Sequence, residues 1–441
     1  MKKISILGGG PAGLGVAYYA KQEGIAFELF EASTIFGGNC ITLNHDGFLF
    51  DSGAHRLHDK DAETTRIFKE LLQEDLELIH VPSQIYRDGQ FIDFPISPLN
   101  LMRYLGIPTF IAEGSKLAWK NITSKSTSEN FKVQAIQNYG AKIADLFLIG
   151  YSEKLWGMKA DQLSSKIAGK RLKGLTVASL LVETILGKKQ KTKHLDGAFY
   201  YPKYGIGTLF DALVEHLDTA NLHATKKVTE ICHTDFQIES IQVNNSQTIP
   251  VEHLVSSLPL KVFLNILSPK PPEDILKIAN SIRFRNIVLV AFFLNKETIN
   301  SNGSMYFPSK EFPFTRMYEP KNRSMHMAPK GKTSLIVEIP CFQNDAHWNM
   351  KNEEIVTKVK TQIFDIGFFK ASDIINAEAY KIQNAYPVLE YGFEEKTAQL
   401  FQYLSKFKNL NLTGRNGLFA YTHIHDHMIN ARKVIQDIQG K

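Results

Sequence analysis

Three glycines in the stretch Gly8-Gly9-Gly10-Pro11-Ala12-Gly13 follow the pattern G-x-G-x-x-G, and an acid, Glu31, lies about twenty residues further on. Each part has a chemical task. Gly8 permits a tight turn, Gly10 lets a pyrophosphate approach the backbone, and Gly13 lets a helix pack closely on a strand. The N-terminus of that helix would face the negative charge, and Glu31 can accept hydrogen bonds from a ribose diol. A glycine-rich structural turn would account for the glycines alone, but strand, helix and acid together point to a dinucleotide. No Ser-His-Asp order, metal-ligand helix or phosphate-loop lysine competes with that chemistry.

The elements needed to hold these residues are legible around them. Residues 3–7 read as a short buried strand, 12–23 as a helix ended by Gly24, and 26–31 as the next strand, which makes one βαβ unit. A helical pattern over 64–78 precedes a hairpin over 85–94 that turns at Asp88-Gly89. Residues 98–186 are rich in helix formers and close on a basic tract over 188–193, read as a solvated loop. A helix over 208–217, a strand over 251–258, apolar runs over 287–294 and 334–339, and a helix over 352–364 describe a second sheet with its own helices. The tail returns to the opening theme with a strand and turn over 410–414 and a closing helix over 426–438.

Composition sets the outer limits. The 441 residues are 44% hydrophobic and 22% charged, the balance of a folded globular chain of two or three domains. Lys+Arg 51 against Asp+Glu 45 gives +6, a mild bias that fits an anionic small-molecule substrate and not a nucleic-acid footprint. Cys40, Cys232 and Cys341 lie far apart and offer neither a disulfide framework nor a CxxC zinc site, so a reducing cytoplasmic setting is the default. The longest apolar run, 287–294, is far short of the roughly 18 residues a transmembrane segment requires.

Past Glu31 the chain reads Gly37-Gly38-Asn39 and then Asp51-Ser52-Gly53-Ala54-His55. Acid, short spacer, Gly-Gly and a hairpin ending Asp-x-Gly-x-His resemble the FAD-binding opening of the amine oxidase and protoporphyrinogen oxidase superfamily, to which UDP-galactopyranose mutases are related. The resemblance implies FAD over NAD, and a second glycine pair gives another close backbone approach, useful for a longer cofactor. Residues 150–158 are similar to the Gly-Tyr-x-x-Lys-x-Trp-Gly-Met segment of the mutases and of a bacterial protoporphyrinogen-oxidase-like group. The segments 89–96, 201–205, 385–388 and 414–417 resemble theirs in the same order. The implied fold class is α/β with an α+β substrate part. A discontinuous Rossmann-type FAD-binding domain is expected over 1–85, 200–260 and 385–441, with a helical insertion over 86–199 and a sheet-containing substrate domain over 261–384.

The resemblance also implies roles. Gly8, Gly10, Gly13, Glu31, Gly37, Gly38, Asn39, His55, Gly414 and Arg415 would hold FAD, the loop at Gly414 placing dipoles beside the flavin's pyrimidine end. His55 would border the flavin ring, where an imidazole can switch charge near neutral pH and stabilise the anionic reduced flavin. Tyr151 would lie near a uracil and diphosphate, and Trp156 would line a sugar pocket. Arg316 would grip a nucleotide diphosphate, a task suited to a permanently charged bidentate donor, and Tyr421 would reach the same diphosphate. Arg171 is the nearest counterpart of a second arginine on a mobile loop. On residue types alone, Tyr151 and Trp156 read as helix core and Arg316 as a surface ion pair.

This sequence departs from the mutases after Tyr421, where His423, His425 and His427 replace acids. The alternation invites a metal, but no matching ligand set appears elsewhere, so no metal is assigned and the stretch reads as a flavin-facing or substrate loop. The implied activity is that of a FAD-dependent flavoenzyme acting on a nucleotide-activated or glycan-linked sugar, with His55, Arg316 and Tyr421 as catalytic candidates. The alternative is an oxidase or dehydrogenase of protoporphyrinogen- or amine-oxidase type, using hydride transfer to flavin.

Overall fold

Ile4–Leu7 is a fully buried strand that pairs in parallel on both sides, with Phe27–Phe30 and with His253–Ser256. Leu410–Leu412 and Leu222–His223 extend this into a five-stranded parallel sheet in the order 410–412, 253–256, 4–7, 27–30, 222–223. Its edges thus come from chain segments about 200 residues apart or more, as a discontinuous Rossmann-type domain requires. The helices Pro11–Gln22 and Ile424–Gln439 share one buried apolar cluster against it, including Leu14, Val16, Met428 and Ala431. They approach so closely that a Cβ at Gly15 would sit 3.1 Å from the Met428 sulfur and 3.2 Å from the Ala431 Cβ. The computed structural model describes residues 3–123, 130–168 and 198–440; Arg171 and the basic tract over 188–193 lie outside these residues.

A second sheet has seven strands in the order Ile374–Pro387, Phe284–Leu294, Thr333–Cys341, Arg316–Tyr318, Ser304–Tyr306, Ser83–Arg87, Gln90–Phe94. Phe284–Leu294 is apolar almost throughout because both its faces are covered. Val288, Val290 and Phe292 pack on the helix Asn352–Ile366 through Ile355, Val359 and Ile363. Ile287, Leu289 and Phe293 pack on Phe48 and Phe50 of the hairpin Thr42–His45/Phe48–Asp51. The hairpin expected over 85–94 spans Ser83–Arg87 and Gln90–Phe94, with Asp88 and Gly89 at φ 50° and 76°, the twist-matched two-residue turn. Both its strands join the seven-stranded sheet, so this sheet reaches back across the boundary expected at residue 85.

A helical segment follows the hairpin with Pro98–Leu105, Ile107–Thr123, Phe131–Tyr139 and Gly150–Trp156. A single π turn, Asp145–Ile149, leads into Gly150–Trp156 and sets the direction in which Tyr151 and Trp156 project. The helix expected over 64–78 stops earlier: Ala62–Leu72 is helical, Gln73 takes φ 47°, and Leu76–His80 becomes a strand paired with Ala198–Pro202. That strand's partner lies more than a hundred residues downstream, which local periodicity does not register. No helix among the described residues is long and apolar enough to cross a membrane.

Candidate active site

The G-x-G-x-x-G loop is a cradle that only glycine leaves open. A Cβ at Gly13 would sit 1.9 Å from the Gly8 carbonyl oxygen, and one at Gly38 would sit 3.0 Å from the Gly10 Cα. Gly8, Gly37 and Gly38 all have positive φ, at 95°, 106° and 56°. The two glycine loops are joined directly, the Gly37 N–H donating to the Gly9 carbonyl at 2.8 Å. Glu31 closes the arrangement by accepting from the Gly9 N–H at 2.6 Å and from the Ser33 N–H and hydroxyl at 2.8 Å. Each carboxylate oxygen keeps acceptor capacity for a ribose hydroxyl. The helix Pro11–Gln22 starts with Pro11 and has no side-chain cap, so its first-turn amides face the cradle with no competing acceptor from a capping side chain.

Further along, buried polar atoms without a protein partner include His55 Nδ1, Thr413 Oγ1, Asn416 Oδ1, Thr422 Oγ1 and His427 Nδ1, and Arg415, between the second and third of them in the chain, acts on both histidines. Such atoms are costly unless a ligand group or water meets them. Phosphate cradle, ribose acceptor and this polar patch form the sequence of environments that a flavin dinucleotide needs, and the residues fit FAD. Gly414, at φ 81°, brings the short helix Gly414–Gly417 within 3.2 Å of the Ala12 Cβ, measured from the position of an added Cβ. Arg415 is engaged by protein, donating to the Thr422 and Ala385 carbonyls and lying over the rings of Tyr386 and Tyr421. Asn39 donates to the Gln383 carbonyl at 3.1 Å and Asn416 to the Asn384 carbonyl at 2.8 Å. Both cofactor loops thereby hold one bulge, where Arg285 pairs with Tyr386 and Ile287 with Ile382 and the strand Ile374–Pro387 carries two extra residues.

The seven-stranded sheet builds the other wall through its register. Arg316 pairs with Tyr306 on one side and Glu338 on the other, so the three stand in one row. Arg316 is 15% exposed and Glu338 5% at their side chains, and they form a fork, Nε to Oε2 and Nη2 to Oε1, both at 2.8 Å. The Ala54 N–H donates to the same Glu338 Oε1 at 2.9 Å, tying the His55 loop to this pair. The carboxylate holds the Arg316 pKa well above the ordinary guanidinium value despite burial, so its charge is permanent. This is a buried pair, not the surface ion pair that residue type alone allows. Nη1 is not used on Glu338, and Tyr386, Tyr306 and Tyr151 all lie within electrostatic reach of the guanidinium.

The aromatic residues pack against one another beside this pair, Trp156 as part of a buried apolar cluster that Tyr386 and Tyr421 cover. Trp156, 2% exposed, meets Tyr421 edge-on at 5.7 Å and Tyr386 at 6.0 Å, and Tyr386 lies 6.0 Å from Tyr421. Tyr151 meets Tyr306 at 5.8 Å. The structure therefore gathers Tyr151, Trp156, Arg316 and Tyr421 around Tyr306 and Tyr386. Sequence reasoning missed Glu338 as well as these two tyrosines. A lone carboxylate in the otherwise apolar run Thr333–Cys341 was the available signal for Glu338.

Burial, reinforced by Arg415, Arg316 and Arg323, lowers the His55 pKa to about 3, so the ring is neutral near pH 7. The positive charge around it comes from the guanidiniums. Arg323, 2% exposed, donates to the His55 and Gly303 carbonyls and stacks on Tyr318 and Tyr201. Beneath it the buried Asp51 carboxylate accepts from the Tyr201 hydroxyl at 2.6 Å, the Thr42 hydroxyl at 2.8 Å and the Ile206 N–H at 2.9 Å.

Among the three tail histidines, His423 caps the closing helix, with its backbone N–H donating to Asp426, and its ring stacks on His425 at 5.7 Å. His427 is 7% exposed, and burial with nearby Arg415 lowers its pKa from 6.5 to about 3. Between those values the unfolded chain binds a proton that the folded chain refuses, so stability falls as pH drops below 6.5. At pH 5 the loss is about 2 kcal/mol for this residue. His427→Phe is expected to remove about that much of the difference in unfolding free energy between pH 7 and pH 5, measured by denaturant titration. An unchanged acid dependence would contradict the neutral, buried imidazole.

The profile of the family described as flavin containing amine oxidoreductases matches residues 11–423. Coproporphyrinogen III oxidase of Bacillus subtilis is 22% identical over 387 residues, covering 81% of each chain. Mitochondrial protoporphyrinogen oxidase of Nicotiana tabacum is 25% identical over 271 residues, covering 54% of this chain and 53% of that one. Among solved structures, reduced UDP-galactopyranose mutase superposes with a TM-score of 0.87 at 18% identity, covering 100% of this chain and 94% of that chain. FAD as cofactor and enzyme as protein class agree with this match and with the cradle. A match across residues 11–423 leaves little of the chain outside it, and the protein is a flavoenzyme that belongs to the flavin containing amine oxidoreductase family.

Proposed function

We propose that this flavoenzyme acts on a nucleotide-activated or glycan-linked sugar, in the manner of a UDP-galactopyranose mutase. The observation that carries the reading is Arg316, whose charge is fixed by Glu338 and which has Tyr151, Tyr306 and Tyr386 within electrostatic reach, with Trp156 and Tyr421 packed against Tyr386. Aromatic faces suit the C–H face of a sugar or a uracil, and a preset guanidinium suits a diphosphate. When bound, FAD supplies either a nucleophilic reduced ring or a hydride acceptor. The chain's own part is to hold the diphosphate at Arg316, orient the sugar between Tyr421 and Trp156, and offer the neutral His55 as a hydrogen-bonding edge. Arg323 and Arg415 keep the surroundings positive, which favours an anionic ligand and an anionic reduced cofactor. Residues 1–85, 200–260 and 385–441 would serve the cofactor and the remaining segments the substrate, in a cytoplasmic protein.

A second reading, a porphyrinogen oxidase, is favoured by the curated sequence relatives, which are coproporphyrinogen and protoporphyrinogen oxidases by name. Titrating UDP-galactose and coproporphyrinogen into the purified yellow protein separates the two. The sugar reading expects a spectral shift with UDP-galactose in the reduced form only. Bleaching of the oxidised flavin by the porphyrinogen, with no response to UDP-sugars, would overturn it.

A further inference from the structure

The helix Gly150–Trp156 carries Tyr151 and Trp156, and the strand Arg316–Tyr318 carries Arg316, yet they belong to different parts of the chain. One buried lysine joins them. Lys154 Nζ donates to three backbone carbonyls, Ser309 at 2.7 Å, Phe312 at 3.0 Å and Phe314 at 2.8 Å. An ammonium has three N–H donors, so the set is complete, and a neutral amine would leave one carbonyl unmet. All three acceptors lie on the loop that ends two residues before Arg316. Burial lowers the lysine pKa to about 7, and Glu311 opposes that shift.

The same helix is held from its other side. Arg285, 3% exposed, donates to the carbonyls of Lys154 at 3.1 Å, Leu155 at 3.0 Å and Pro340 at 2.8 Å, and so fixes the helix to the strand that bears Glu338. A Cβ at Gly150 would sit 2.8 Å from the Pro308 carbonyl oxygen, so helix and loop touch with no space to spare.

Resting on the sugar-nucleotide reading, we infer that Lys154 is a positioning residue that sets the separation between Arg316 and the Tyr151/Trp156 wall, and so the grip on a nucleoside diphosphate. Its ammonium bonds only the loop before Arg316 and none of the glycine cradle or the Gly414 loop, so its loss should weaken diphosphate binding while leaving FAD in place.

The experiment is UDP titration of the reduced holoenzyme, with flavin content read beforehand on the oxidised protein from the ratio of absorbance at about 450 and 280 nm. Lys154→Met is expected to weaken UDP binding about tenfold or more with flavin content within about twofold of the original, and Lys154→Arg to recover most of the loss. A flavin-replete Lys154→Met protein that binds UDP as tightly as the original overturns the inference. If that variant does not fold, Gly150→Ala presses on the same loop without changing charge, and unchanged UDP affinity there overturns it equally. Arg316→Lys serves as the reference: unchanged UDP affinity in that variant would remove the diphosphate reading itself, a failure distinct from that of the Lys154 mounting.

Discussion

Arg316→Met is expected to cost about 3–5 kcal/mol of stability, more than most single substitutions, because it strands a charge instead of removing a contact. Glu338 is 3% exposed and sits in the middle of a strand whose residues are all buried. After the substitution it keeps the Ala54 N–H but loses both arms of the guanidinium fork. Adding Glu338→Leu should return most of the stability, since a buried pair replaced by apolar groups of similar size is often neutral. Binding of UDP should not return with it, because stability needs only the absence of an unpaired charge whereas a diphosphate needs the cation. Thermal unfolding and UDP titration on the single and double variants check both halves. Equal melting temperatures for the original protein and Arg316→Met would contradict a buried pair.

Gly13→Ala should strip the protein of flavin, with occupancy falling by about tenfold or more. The added Cβ would stand 1.9 Å from the Gly8 carbonyl oxygen, far inside van der Waals contact, and neither side can yield cheaply. Gly8 donates its N–H to the Phe30 carbonyl, and the strand before it is paired on both edges. The helix Pro11–Gln22 must then lift away from the sheet, which carries its N-terminal amides off the diphosphate. Gly24→Ala is the comparison: it also changes a glycine beside this helix, at φ 65°, but nothing lies within 4 Å of the new methyl. It should cost about 1–2 kcal/mol for the left-handed backbone and leave the protein yellow. A Gly13→Ala protein with its full flavin absorbance would mean that the cradle does not hold the cofactor.

What could be read from the sequence follows from how local each feature is. The opening strand, turn and helix, the Asp88-Gly89 hairpin and the buried strand Phe284–Leu294 are set by residues within a few positions of one another, and each was expected close to its observed bounds. The helical pattern over 64–78 runs into the start of the strand Leu76–His80, whose partner, Ala198–Pro202, is distant in the chain. The strand expected over 251–258 is confined to His253–Ser256, since only those residues find neighbours in the parallel sheet. At the site, Tyr151, Trp156, Arg316 and Tyr421 were legible through motifs. Glu338 was not, because its meaning depends on a strand register that no motif encodes. The protonation of His55 was not legible either, because it is set by burial together with three arginines from distant segments.

The order of strands in the parallel sheet has a consequence for synthesis. Ile4–Leu7 is made first, its neighbour His253–Ser256 some 250 residues later, and the edge strand Leu410–Leu412 almost at the end. Asn409, just before that edge, fastens it by bonding Ile238 and the Glu252 carbonyl. On a ribosome adding about 5–20 residues per second, the first strand waits many seconds for its partners. The nascent βαβ unit is therefore a half-built cradle with apolar faces uncovered, and the cofactor can be captured in full only after the loop at Gly414 emerges. Free flavin in the cell should act late, on a nearly finished chain, and flavin shortage should raise the burden on chaperones more than it slows translation.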